Sequence, residues 1–89
     1  MSAVEVQILN RLGLHARAAA KMVHVANRYK SAITVSRTDS RVDGKSILGL
    51  LTLAASQGTR LTLSADGADA NEALAALSTL VRERFGEDE

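Results

Sequence analysis

Leu12-Gly13-Leu14-His15-Ala16-Arg17-Ala18-Ala19-Ala20-Lys21 is the stretch at which the hydrophobic rhythm of the chain changes. Before it, Val4, Val6 and Ile8 alternate with Glu5 and Gln7, the two-residue period of a half-buried strand. After it, Ala19, Met22, Val23 and Ala26 share one face of a helix that begins near residue 16, while Arg17, Ala20, Lys21, His24 and Arg28 share the other. The first face is expected to pack on a sheet, which leaves a basic face open.

Further along, Ile33 and Val35 alternate with Thr34 and Ser36 as a second strand, and Thr38-Asp39-Ser40 turns the chain toward a short third strand around Val42. Gly44 and Lys45 lead into another helix start at Ser46. Leu61 and Leu63 alternate with Arg60, Thr62 and Ser64, giving a fourth strand that ends at Asp66-Gly67. Asp69 and Glu72 are spaced as a capping arrangement, and Leu74, Leu77, Leu80, Val81 and Phe85 form the apolar stripe of a last helix. The tail Gly86-Glu87-Asp88-Glu89 is expected to stop that helix and to fray. The order βαββαβα predicts an α+β fold, a two-layer open-faced sandwich of a four-stranded antiparallel sheet with three helices on one face, and a single domain over residues 1–89.

Composition narrows the function classes. Eighty-nine residues suffice for one domain with a modest core, not for two. A formal net charge of +1 excludes neither acidic nor basic partners. The chain has no cysteine, so it holds no disulfide and no thiolate metal site. Its only aromatic residues are Tyr29 and Phe85, neither on an expected strand, which removes the stacking platform of an RNA-binding sheet. Met1-Ser2-Ala3-Val4-Glu5 lacks the basic and apolar stretches of an export signal, and nowhere do about 18 apolar residues run together. The expectation is a cytoplasmic protein that does not insert into a membrane.

His15 stands where a glycine turn meets a helix start. The first helical turn carries backbone N–H groups without intrahelical partners and the positive end of the peptide dipoles, so an anion is stabilised there. Arg17 adds a permanent charge with forked donors. Imidazole is largely neutral, and hence nucleophilic, near neutral pH. The spacing fits a phosphoryl-holding site; it fits equally a polar boundary residue followed by a solvated arginine. His24, nine positions on, falls on the opposite side of a common helix and follows no glycine turn, so it reads as a surface residue and not as half of a metal pair. Ser46 sits where a helix cap is wanted. The segment Ser46–Ala55 is more apolar than a surface helix needs, so either Ile47, Leu48 and Leu51 lie partly exposed or the helix is sunk in the core.

Gly13-Leu14-His15-Ala16-Arg17 resembles the phosphorylation site of the HPr family, the small histidine phosphocarriers of the bacterial phosphotransferase system. Gly44-Lys45-Ser46-Ile47-Leu48-Gly49-Leu50 is similar to that family's regulatory-serine segment, and Gln57-Gly58-Thr59 with Ser64-Ala65-Asp66-Gly67 to its last strand and exit turn. The resemblance implies the strand order 1-4-2-3, which periodicity alone does not give. It further implies that His15 accepts a phosphoryl group on Nδ1 from a phosphoenolpyruvate-dependent enzyme I type donor, assisted by Arg17, and passes it to an enzyme IIA type acceptor in sugar uptake or nitrogen-related regulation. The implied docking surface comprises Ala16, Ala20, His24, Asn27, Ile47, Leu48 and Leu51. Ser46 would be a phosphorylation site for a serine kinase in some bacteria. The carrier would be a monomer that needs no metal or cofactor, and a substrate of phosphotransferases more than an enzyme.

One position departs from the family pattern: proline commonly follows the arginine, and this chain has Ala18. Alanine keeps the helix and returns an N–H to the anion site. The run Ala16-Arg17-Ala18-Ala19-Ala20-Lys21 is similar to the nitrogen-related (NPr) branch. From a different class, a non-carrier regulatory interaction module, whose phosphorylation state controls what it binds, fits the same pattern of elements.

Overall fold

Val4, Leu63, Val35 and Val42 stand abreast in one row across the four strands of the computed structural model, which describes residues 1–89. The strands are β1 (Ser2–Gln7), β2 (Ala32–Arg37), β3 (Ser40–Asp43) and β4 (Arg60–Asp66). Every neighbouring pair is antiparallel, in the order β1-β4-β2-β3 that the resemblance implied. Because side chains alternate across a pleated strand, Leu61, Leu63 and Ala65 of β4 and Ile33 and Val35 of β2 all point inward and are buried. Arg60, Thr62 and Ser64 face the other way, toward solvent.

Three helices cover the apolar face: α1 (Ala16–Ala26), α2 (Ile47–Thr52) and α3 (Ala70–Arg82). The buried stripe of α1 is Ala18, Ala19, Met22 and Ala26, small enough for the helix to lie against both α2 and α3. Val23, expected inside, is half-buried, and Ala18 takes the inner position. From α3 come Ala70, Ala73, Leu74, Leu77 and Val81. Burial of each large apolar side chain, such as Leu61 or Leu77, is worth about 1.5–3 kcal/mol.

The end of the chain departs from the sequence expectation. α3 stops at Arg82, and Arg84 and Phe85 both take left-handed backbone angles, φ 56° and 54°, in a separate turn of 3-10 helix, Arg84–Gly86. This sharp turn buries the Phe85 ring in the same core as Leu74, Leu77 and Val81, but from a turn of its own and not as part of the helix to which periodicity assigned it. Residues 86–89 are not a frayed tail. Lys21 Nζ donates to the Phe85 carbonyl at 2.6 Å, and the chain beyond lies against the loop that precedes α1.

Asp69 is likewise corrected. It precedes α3, but its side chain makes no capping bond, and its backbone (φ −105°, ψ 25°) lacks the extended form a side-chain cap adopts. Its carboxylate instead accepts from the Lys30 N–H at 2.8 Å, the Ser31 N–H at 3.0 Å and the Ser31 hydroxyl. Ser31 is buried, so its donors need that acceptor more than the solvent-facing start of α3 does. The Ser31 hydroxyl bond foremost, with the Lys30 amide, holds the Asp69 carboxyl below its ordinary value.

Candidate functional site

Gly13 is in the left-handed region, φ 69°, and this turn sets the direction in which His15 leaves the loop. Leu14 N–H donates to the Ala55 carbonyl at 2.8 Å, and the Asn10 side chain donates to the Gly13 carbonyl, also at 2.8 Å. His15 then caps α1 with extended backbone, φ −80° and ψ 179°. Its Nδ1 accepts from the Arg17 backbone N–H at 3.3 Å, while its carbonyl takes the Ala19 N–H at 2.8 Å. The Ala16 amide has no protein acceptor and its residue is exposed, so the first turn of α1 offers a free donor beside Nδ1; Ala18 is fully buried, which corrects the expectation that alanine there returns an open N–H to the anion site. The ring is partly exposed, with 28% of its side-chain surface accessible. Solvent and a partner protein can therefore reach it.

The imidazole opens onto a cleft of about 590 Å³ lined by Arg11, Leu12, His15, Arg17, Glu87, Asp88 and Glu89. The Arg17 guanidinium lines this cleft without any salt bridge, leaving its donors for an anion. On the far side of the ring, Nε2 meets the Glu87 carboxylate, whose second oxygen accepts from Asn10 Nδ2 at 2.9 Å. Burial pushes the Glu87 carboxyl up, but the bonds from His15 and Asn10 and the charges of His15 and Lys21 outweigh it, so the group ionises below its ordinary value. Arg11 holds the tail as well, its Nε 3.1 Å from the Glu89 carboxylate.

Asn10, Arg11, Leu12 and the acidic tail were not singled out by sequence reasoning. Leu12 carried the only local signal, an apolar residue in a glycine turn with no alternation partner, and it is 63% exposed. Nothing local marks Glu87, since its partner lies seventy-two positions away.

The remaining sequence-derived residues lie on α1 and α2 and at their caps. Ser46 caps α2, its Oγ accepting from the Gly49 N–H at 3.0 Å. Of the apolar segment that follows, only Leu50, Leu53 and Ala55 are buried; Ile47, Leu48 and Leu51 are exposed, Leu48 by 78%. The helix is thus not sunk in the core. Ala16, Ala20 and His24 are exposed on α1 and Asn27 is exposed at its C-cap, and α1 packs beside α2. His24 lies about 13 Å along the helix axis from His15, too far to share one phosphoryl group.

An open-faced sandwich with an accessible histidine at an open helix start, beside an arginine with free donors, fits the class of proteins that hold an anion such as a phosphoryl group at a helix start. The family described as "PTS HPr component phosphorylation site" matches residues 3–83, and the chain belongs to this HPr family, whose members carry phosphoryl groups in the phosphotransferase system. It is 52% identical to the phosphocarrier protein HPr of Pseudomonas aeruginosa, with both chains covered in full. It is 51% identical over 84 residues, 94% of each chain, to that of Neisseria meningitidis. The crystal structure of HPr-C-His from Thermoanaerobacter tengcongensis superposes with a TM-score of 0.96 at 43% identity, covering all of both chains.

Proposed function

We propose that His15 is the phosphoryl acceptor of this phosphocarrier, that Arg17 is its counter-charge, and that the partners dock on Ala16, Ala20, His24, Asn27, Ile47, Leu48 and Leu51. The observation that carries this reading is the His15 Nδ1 facing the open turn of α1, with the exposed Ala16 amide free. The Nδ1 lone pair attacks the phosphorus of a phosphohistidine on an enzyme I type donor. As the new N–P bond forms, the bond to the donor's ring nitrogen breaks and its electron pair returns to that ring. The Arg17 N–H, released from Nδ1, joins the Ala16 amide in facing the phosphoryl oxygens, and the guanidinium adds its charge. Transfer to an enzyme IIA type acceptor is the same step in reverse with a new nucleophile. The protein acts as a monomeric substrate of these enzymes and contributes positioning, not turnover of its own.

Exposed apolar side chains of α2, which packs against the helix that His15 caps, support a docking face, because a partner that covers them can also exclude water from the transfer. Ser46 is proposed as a second, regulatory phosphorylation site. A phosphate there would place negative charge beside this face and oppose an acidic partner.

Incubation with phosphoenolpyruvate and an enzyme I type phosphotransferase should yield one acid-labile, base-stable phosphoryl group per chain. His15→Ala should abolish it and His24→Ala should not. Label on His24, or no uptake from any such donor, would overturn the assignment, and the second result would favour the regulatory interaction module.

A further inference from the structure

Glu87 is held too deliberately to be a loose surface acid. Its two oxygens are divided between His15 Nε2 and the buried Asn10 amide, and Lys21 clamps the backbone two residues earlier through the Phe85 carbonyl. Asn10 also holds the Gly13 carbonyl, so one buried side chain fixes both the turn that delivers the histidine and the carboxylate that meets it.

The ring has two nitrogens and each has a different neighbour. Nδ1 faces a donor, the Arg17 N–H, and must present a lone pair; Nε2 faces an ionised acceptor and must present a proton. We propose that Glu87 is a positioning residue for phosphoryl transfer, directing the group to Nδ1 by occupying Nε2 and by balancing the charge the ring acquires. This rests on His15 being the acceptor.

The bookkeeping of the step supports the assignment. Attack by Nδ1 on phosphorus leaves the ring as a phosphoimidazolium, with the proton still on Nε2 and the positive charge against the Glu87 carboxylate. When the next acceptor attacks phosphorus, the Nδ1–P bond breaks, the electron pair returns to Nδ1, and the same proton remains on Nε2. No proton leaves or enters in either direction. A carboxylate that orients an imidazole and stabilises its cationic form without itself taking the proton does the same for hydrolytic triads. Glu87 also places negative charge over Nε2, which repels an incoming phosphoryl donor on that side.

The test compares the wild-type protein with Glu87→Ala and Glu87→Gln. Nitrogen-15 NMR at neutral pH is expected to show the His15 Nε2 proton protected from exchange with water in wild-type and in E87Q, whose amide oxygen still accepts, and unprotected in E87A. Treatment with phosphoramidate, a chemical donor that needs no partner protein, is expected to give only Nδ1-phosphohistidine at His15 in wild-type. E87A should give the Nδ1 and Nε2 isomers in comparable amounts, and E87Q mainly the Nδ1 isomer. Coincident circular dichroism spectra establish that both variants are folded. If E87A yields Nδ1-phosphate alone, or if its Nε2 proton is as protected as in wild-type, the proposal is overturned. Failure of His15 to take any phosphoryl group counts against the carrier assignment instead, and the exchange measurement, made without phosphate, still decides the role of Glu87.

Discussion

Gly13→Ala is the substitution whose cost the structure fixes most tightly. A Cβ at position 13 would stand 2.5 Å from the Ala55 carbonyl oxygen and 2.9 Å from Ser56 Cα, both backbone atoms, and the residue sits at φ 69°. Left-handed backbone costs a non-glycine residue roughly 1–2 kcal/mol. Overpacking against backbone that cannot swing aside adds about 1–3 kcal/mol. The smaller entropy of the alanine-containing unfolded chain returns roughly 0.4–1 kcal/mol, so the net loss is about 3 kcal/mol. For a domain of this size that lowers Tm by roughly 12–24 °C. Gly58 supplies the control: it has φ 90°, yet nothing lies within 4 Å of an added Cβ. Gly58→Ala should therefore cost only about 1 kcal/mol, or about 4–8 °C. Urea and thermal unfolding of the two variants measure the difference directly. G13A should also slow phosphorylation of His15, since the turn that aims the ring has to move. A G13A protein as stable as G58A would refute the argument that the close approach of residues 55 and 56 defines the turn.

Three further outcomes are expected. Ser46→Ala removes the acceptor of the Gly49 N–H and should cost about 1 kcal/mol in urea unfolding, with His15 phosphorylation by an enzyme I type donor retained; unchanged stability would contradict the capping role. Leu48→Glu changes a side chain that is 78% exposed, so stability should stay within about 0.5 kcal/mol of wild-type while calorimetry shows weakened binding of an enzyme I type partner. Equal affinity would remove Leu48 from the docking face. Asp69 ionises below its ordinary value of 3.8 in the folded chain, so its contribution is complete above that pH and is lost as the pH falls through the lower folded value. The urea midpoint of wild-type should therefore drop more than that of Asp69→Asn between about pH 6 and about pH 2.5, and parallel curves would refute the link.

Strands and helices were legible because each has one buried face, and burial of one face writes its own period into the sequence. Leu61 and Leu63, or Leu74 and Leu77, announce that face whatever surrounds them. The placement of His15 at a helix start was legible because the turn and the helix start are local. Asp69 was misread because its spacing from Glu72 imitates a cap, whereas its donors, at Lys30 and Ser31, come from the distant α1–β2 connection. Phe85 fits a helical stripe on spacing, but two left-handed residues, neither of them glycine, end that stripe first. The tail was misread for a related reason: polar residues after a glycine look unattached unless Asn10, Lys21 and His15 are known to be waiting for them. The strand order entered through family resemblance, since periodicity identifies strands and says nothing of their neighbours.

In the sheet, β4 lies between β1 and β2, so the first strand made has no partner until the last one is made. A nascent chain emerging from the ribosome can close β2 on β3 early, but β1 must wait more than fifty residues for its edge to be filled. Such late, long-range closure places folding among the slower small mixed domains. It also means that the His15 imidazole is made early in synthesis, that the Ala55 carbonyl holding the adjoining turn follows forty residues later, and that the Glu87 carboxylate comes only after β4 and α3, so the contacts around the ring assemble in stages.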